Sequence, residues 1–252
     1  MKNIEVAIVS KTLSNAINIT GAAARITQKG HKIKSIDNFR FMLTETDKNE
    51  AVTRSILRQG HGNPTRHYAI SVLVVGASRR FLAQIRTHHV GIDFTSASLQ
   101  YSNYSGKAEF VVPYEIYEKG TTEVETYLQK CRADLGFYSS MIEDGLSNDT
   151  AGYSMNQALR NILLITGNIE AWRNLIKVRG CNRNTNETQY VTMRIWEEFN
   201  KYEDLKLLFD TAGPRCLSGG CIEGPMKCKE VMYKGPTETL KRKWPLLVRG
   251  IL

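Results

Sequence analysis

The sequence predicts an α+β fold, a small sheet flanked by helices with a helical second half. Two observations carry this. Short β-branched runs bounded by turn residues lie at residues 4–9, 68–75 and 108–112, the last stopped by Pro113. Beyond residue 120 the apolar spacing changes to three and four, as in Val124, Leu128, Cys131, Leu135, Tyr138 and Ile142. No internal repeat, low-complexity tract or linker divides the chain. One domain is therefore expected over residues 1–252, with an irregular Cys-containing tail from about residue 211.

Taken in order, residues 4–9 alternate and suit a strand. Asp47 with Glu50 three residues on resembles a capping arrangement for a helix over residues 48–59. Val52, Ile56 and Leu57 share one side of it, and Gly60 stands at the C-terminal glycine position. A polar loop over residues 61–67 leads to a buried strand at 68–75 and a helix at 78–86 carrying Phe81, Leu82 and Ile85. Residues 86–102 are polar and small and follow neither period. Helices are then expected over residues 124–142, ending at Gly145, and over 150–165, 169–178 and 187–209.

Charge and composition narrow the function. Thirty-four Lys and Arg against 25 Asp and Glu leave +9 on 252 residues, and 42% hydrophobic content is ordinary for a globular chain. The apolar runs at 69–75 and 162–165 fall far short of the ~20 residues that cross a bilayer. The first residues lack a signal-peptide pattern, so a cytoplasmic protein away from membranes is expected. Five Cys without a secretory context argue against a disulfide framework. The positive balance suits an anionic partner. Its cations are spread along the chain, the densest cluster being Lys241-Arg242-Lys243, which argues against a nucleic-acid arm.

Several residue groups bear chemistry. His88 and His89 are adjacent, so they point apart and suit hydrogen bonding to phosphate or a ring carbonyl better than a shared metal. His61 and His67 lack an evident third ligand. The loop Thr95-Ser96-Ala97-Ser98 offers hydroxyls and N–H groups of the kind that cradle anions, and no G-x-S-x-G elbow accompanies it. Cys216, Cys221 and Cys228 could hold zinc with Cys181 or a His as fourth ligand. Their C-x4-C-x6-C spacing lacks tight C-x2-C pairs, so free thiols are expected and no metal ligand is assigned. Walker A and G-x-G-x-x-G are absent, which removes P-loop and Rossmann readings.

In this order, several segments resemble flavin-dependent thymidylate synthases. Thr87-His88-His89 stands at the family's Arg-His-Arg triplet, Ser98 at its serine and Gln100-Tyr101-Ser102 at its Arg-Tyr-Ser. Gln84 falls at the nucleotide-contacting Gln. Residues 60–67 resemble the Gly-His-x-Thr-Pro-x-Glu-His flavin loop, and residues 23–27, ending at Thr27, resemble Ala-Ala-Arg-Val-Ser. Asn168, Asn174 and Arg179 keep the spacing of two flavin-contacting Asn and the Arg facing the pyrimidine, with Gln189 at a following helix Gln. The Cys-rich tail resembles the ending of some viral and clostridial-type members. The resemblance covers residues from about 20 to 230.

The resemblance implies a homotetramer that takes FAD, NADPH and methylenetetrahydrofolate and methylates C5 of deoxyuridylate (dUMP) to give dTMP. It gives Arg179 and Ser98 the catalytic roles. Gln84, Ser96, Ala97, Ser98, Leu99, Gln100 and Arg179 would bind the nucleotide. Thr27, His61, Asn63, Arg66, His88, His89, Val90, Asn168, Asn174 and Gln189 would line the flavin. Thr87, His89, Gln100 and Gly152 depart from family Arg positions, Arg66 replaces a Glu, and Glu170 replaces an Arg. An Arg lost at a phosphate removes a bidentate, permanent charge. Either Arg79, Arg80, Arg160 or Arg173 replaces the missing cations, or the substrate is another pyrimidine nucleotide, methylated or hydroxymethylated. A non-catalytic basic nucleic-acid-binding module is the more distant alternative.

Overall fold

A computed structural model describes residues 3–218, 220–228 and 235–251. Four strands, β1 (Glu5–Lys11), β2 (Ala69–Ser78), β3 (Ile92–Ser96) and β4 (Arg160–Asn168), pair antiparallel in the order β1-β2-β4-β3. Ile70, Val72 and Val74 of β2 are fully buried, and Val72 faces Ile165 while Val74 faces Leu163 across the ladder. This period-two burial turns one face of the sheet into the core.

Against that face lie α8 (Ile169–Arg179) and α9 (Asn186–Phe199), preceded in the chain by α1 (Ala16–Lys29), α2 (Ile36–Thr44), α3 (Thr46–Arg58), α4 (Arg79–Ile85), α5 (Tyr114–Lys119), α6 (Thr121–Glu143) and α7 (Asn148–Gly152). Trp172 of α8 is wholly buried. Its Nε1 donates to the Ile70 carbonyl at 3.1 Å, and its ring meets Phe199 edge-on at 5.2 Å. The partner is required because a buried indole N–H left unpaired costs free energy. Phe81, Leu82 and Ile85 of α4 are buried, as their spacing predicts. Among the described residues no helix is long and apolar enough to cross a membrane.

Several sequence expectations need correction. Residues 150–165 are not a helix: α7 ends at Gly152 and β4 begins at Arg160. The run at 162–165 is too short for its apolarity to separate helix from strand. Pairing on both sides, to β2 and β3, decides it. The expected helix over 187–209 is interrupted after Phe199 and resumes as α10 (Glu203–Phe209). Residues 108–112 contribute one isolated bridge, Phe110 to Leu159, and β3 lies inside the stretch that shows no period.

The helix after the first strand also went unassigned. The buried face of α1 is made largely of small residues, Ala16, Thr20, Gly21, Ala22 and Ala24, with Ile17 and Arg25. Asn15 caps it, accepting from the N–H groups of Ile17 and Asn18. For α3, the expected capping box is not formed: the helix opens at Thr46, without a side-chain cap. Its end matches expectation. Gly60 has φ +76°, with Gly60 N–H donating to Leu57 O and His61 N–H to Ile56 O, the paired bonds of a Schellman motif. The tail, expected to be irregular, contains α11 (Arg215–Ser218), α12 (Pro236–Lys243) and α13 (Pro245–Arg249). Leu240 and Trp244 return to the core.

Candidate functional site

The candidate site is built around α8. At its start Asn168 is the N-cap, its Oδ1 accepting from Ala171 N–H at 2.9 Å. At its end Arg179 spreads three donors over three partners. Nε donates to His88 Nε2 at 3.0 Å, Nη2 to Thr87 Oγ1 at 2.6 Å, and Nη1 to Asn184 Oδ1 at 3.1 Å. The fold thus brings the triplet position and Arg179 together across 92 residues of chain.

The Arg179 bond requires His88 Nε2 to be an acceptor, so the ring is neutral with its proton on Nδ1. Burial holds the His88 pKa below the ordinary imidazole value, and the charges of Arg179 and His89 push it the same way. Burial also lowers the Arg179 pKa, without threatening its charge. Thr87 donates its hydroxyl hydrogen to Gln84 O at 3.0 Å, so its oxygen is free to accept from Arg179.

The serine loop leaves β3 beside β4. Ala97 N–H donates to Ile162 O at 3.3 Å, and Asn161 Nδ2 donates to Ala97 O at 3.2 Å. The Ala97 N–H is thereby engaged by the sheet, which removes it as a ligand donor. Among the described residues no hydrogen bond engages the Leu99 N–H. Ser98 Oγ accepts from Gln100 N–H at 3.1 Å, and Ser96 Oγ accepts from Arg86 Nη2 at 2.7 Å. Gly152 abuts this loop: a Cβ there would stand 3.1 Å from Leu99 Cβ.

Arg86 is the cation that sequence reasoning missed, one residue before the triplet position. Of the replacements considered, Arg160 is engaged by Asn3 O and Glu109, and Arg173 by Leu208 O and Thr211. Gln84 Oε1 accepts from Thr188 and Thr185 hydroxyls at the start of α9.

The loop over residues 61–67 closes the other end of α8. His61, Asn63 and Arg66 are exposed, and Arg66 forms an ion pair with Glu170. A Cβ on Gly62 would stand 2.3 Å from Glu170 Oε1, so the loop rests on that carboxylate. The two departures from the family pattern are one reciprocal charge exchange. The pair is solvent-exposed and contributes little to stability; it ties the loop to the start of α8. Arg66→Glu alone is expected to loosen the loop and weaken FAD binding several-fold, and Arg66→Glu with Glu170→Arg to restore it, as flavin titration would show. Equal affinities in all three proteins would remove the pair from the site.

His89 and Val90 are exposed on the turn before Gly91, where a Cβ would meet Asn168 Nδ2 at 2.6 Å. Asn174 is exposed on α8. Thr27 is exposed in the last turn of α1, its hydroxyl donating to Ala24 O, with no described hydrogen bond to the other site residues. Gln189 is buried and engaged by the chain itself: Nε2 donates to Gly180 O at 2.8 Å and Asn182 Oδ1 at 2.7 Å, and Oε1 accepts from Lys243. Lys243 also donates to Asn182 Oδ1 at 2.8 Å. The C-terminal helix α12 therefore braces the turn that follows Arg179. Lys243→Met is expected to lower turnover about tenfold, the effect of one charged hydrogen bond, with Lys243→Arg recovering part of it. Steady-state kinetics unchanged by both variants would contradict this bracing.

Cys181, Cys216, Cys221 and Cys228 line one pocket of about 340 Å³ and are not joined by disulfides among the described residues. Among the described residues no three His, Cys, Asp or Glu are grouped to hold a metal ion. A larger cavity of about 510 Å³, lined by Arg80, Tyr127, Glu187, Tyr190 and Trp244, contains none of the residues assigned to nucleotide or flavin. The Arg179 cluster is the better candidate because its polar groups converge.

A family model described as Thymidylate synthase complementing protein matches residues 7–202. The chain belongs to this family. Flavin-dependent thymidylate synthase of Thermococcus onnurineus is 26% identical over 201 residues, covering 77% of this chain and 79% of that one. The Geobacter sulfurreducens protein of the same name is 26% identical over 196 residues, covering 77% and 82%. Among solved structures, Thymidylate Synthase X from Helicobacter pylori with FAD and dUMP superposes with TM-score 0.62 at 19% identity, covering 82% of this chain and 97% of that one. The UMP/dUMP methylase PolB from Streptomyces cacaoi, bound with 5-Br dUMP, gives TM-score 0.63 at 15% identity, covering 84% and 97%. These likenesses establish the family's α+β fold for this chain.

Proposed function

We propose that this family member methylates C5 of dUMP, with FAD, NADPH and methylenetetrahydrofolate as cofactor and co-substrates. The observation that carries the proposal is Arg179, fixed by Thr87, His88 and Asn184 at the end of the helix that begins with Asn168. The residues fit a flavin: Asn168 and Asn174 of α8, His61 and Asn63 of the adjoining loop and His89 of the turn before Gly91 offer polar groups, and the Gly91–Asn168 approach leaves no Cβ in the way. When bound, the flavin would supply the redox chemistry.

The chain's own part is position and charge. Arg179 would lie against a pyrimidine carbonyl and stabilise the negative charge that develops as C5 becomes nucleophilic. Neutral His88 and Thr87 hold its guanidinium in place. The Leu99 N–H and Ser98 would hold the nucleotide, with Arg86 adding positive charge through its contact with Ser96. A homotetramer is part of this proposal; Val90, 77% exposed, and Tyr101, 80% exposed, offer apolar surface beside these loops for a subunit contact. Conversion of dUMP to dTMP by the purified protein, supplied with all three cofactors and followed by product chromatography, tests the proposal. Product formed by flavin-free protein without added flavin, or formed without folate, or none with all three supplied, would contradict it.

One observation favours a second reading. Gly152 is packed against Leu99, and Thr87 is committed to Arg179, so neither family Arg position supplies a phosphate partner here. A different pyrimidine nucleotide, methylated or hydroxymethylated, would suit that change. The same assay with a panel of pyrimidine nucleotides separates the two.

A further inference from the structure

The pocket of about 340 Å³ lies between the C-terminal end of α8 and the tail. Lys177, Arg183, Arg215 and Lys227 stand on its wall, against one carboxylate, Glu223. Elsewhere this chain pairs exposed cations with carboxylates one turn away, as in Arg54–Glu50, Lys130–Asp134 and Arg242–Glu238. Among the described residues none of the four pocket cations has a carboxylate within ion-pair distance, and Arg183 reaches only Met226 Sδ, at 3.8 Å. Cys181 does not offset this charge: burial pushes its pKa up, toward the neutral form. A concave site lined with one sign of charge concentrates the opposite sign.

The pocket adjoins the proposed reaction centre. Asn184, which accepts from Arg179, lines it, and so do Asn174 and Val178 of α8. Its volume is near the lower end of ligand sites, which hold roughly 300–1,000 Å³. That suits the charged tail of a molecule better than a whole dinucleotide. Arg215 and Lys227 lie beyond residue 202, where the family match ends, so half of the cationic wall lies outside the matched region.

We propose that this pocket binds an oligoanionic tail, a run of phosphates or of carboxylates, on a co-substrate whose reacting end lies at the Arg179 cluster. The inference rests on the proposed function for the identity of that reacting end. The charge of the pocket itself does not depend on it.

The test uses the full chain, titrated calorimetrically at low salt with inorganic pyrophosphate and with tri-γ-glutamate. Saturable binding of at least one probe is expected, weakened about tenfold or more by Arg215→Gln with Lys227→Gln and suppressed by about 1 M salt. Tighter pyrophosphate binding assigns a phosphate tail, and tighter triglutamate binding a carboxylate tail. No binding of either probe, or equal affinity in the double variant, overturns the proposal. The visible spectrum with FAD and dUMP is recorded in parallel. A protein that binds the probes but gives no flavin response sinks the methylation reading alone. One that responds to flavin and dUMP but binds neither probe sinks the pocket alone.

Discussion

Arg179→Ala is expected to lower dUMP turnover by about 10²–10³-fold or more while leaving FAD bound. Removal of one donor aimed at developing charge costs that much in enzymes that stabilise an anion. Here the guanidinium also organises Thr87, His88 and Asn184. Arg179→Lys should recover little, because a single ammonium cannot span three acceptors. The assignment of flavin contacts to Asn168, Asn174 and the loop over residues 61–67 is what separates the two readouts. Unchanged turnover would remove Arg179 from the mechanism, and loss of flavin with turnover would place it on the cofactor instead.

The same contact sets a pH dependence. His88 must remain neutral to accept from Arg179, and burial beside that cation disfavours its protonation in the folded protein. Between its folded pKa and the ordinary value of 6.5, the unfolded chain binds more protons, so stability falls as pH drops below that value. Turnover should hold through that interval and fall at lower pH, where His88 itself protonates and the Arg179 bond is lost. His88→Gln should remove this limb from a pH–rate profile; an acid limb unchanged in that variant would contradict the role.

Trp172→Ala is expected to cost about 3–5 kcal/mol, the range for deleting a large buried aromatic side chain. Trp172 is wholly buried, meets Phe199 edge-on, and spends its indole N–H on the Ile70 carbonyl of β2. Its loss leaves a cavity beneath the sheet and removes the indole hydrogen bond to Ile70. For a chain of this size the melting temperature should fall by roughly 6–20 °C. A cost below about 1 kcal/mol in urea unfolding would mean that the sheet and α8 are held together by something else.

The parts legible in the sequence were those whose signal is local. The β2 strand, the α4 face of Phe81, Leu82 and Ile85, and the glycine end of α3 follow from spacing and turn chemistry. β4 was read as helix because Ile162, Leu163, Leu164 and Ile165 are apolar in either state, and the neighbours that make it a strand are about 70 to 90 residues away. α1 buries mainly alanine, glycine and threonine, residues that do not by themselves mark a core.

At the site, the motif order pointed to Thr87, His88 and Arg179, yet not to the bonds among them. Arg66 and Glu170 read as two unrelated departures until the fold placed them in contact. Arg86 was passed over because it lies one position outside the triplet, and only the return of β3 brings Ser96 to it. Gln189 matched a motif position whose burial no local pattern discloses.

The most direct test of the proposed function is a visible absorption spectrum of the purified protein, repeated after adding FAD and then dUMP. A bound-flavin spectrum that shifts when dUMP is added is the predicted result, because Asn168 and Asn174, proposed to contact the flavin, lie on or at the start of the helix that ends at Arg179. Flavin bound without a nucleotide response would contradict dUMP as the substrate, and no flavin bound even with added FAD would contradict flavin chemistry in this chain.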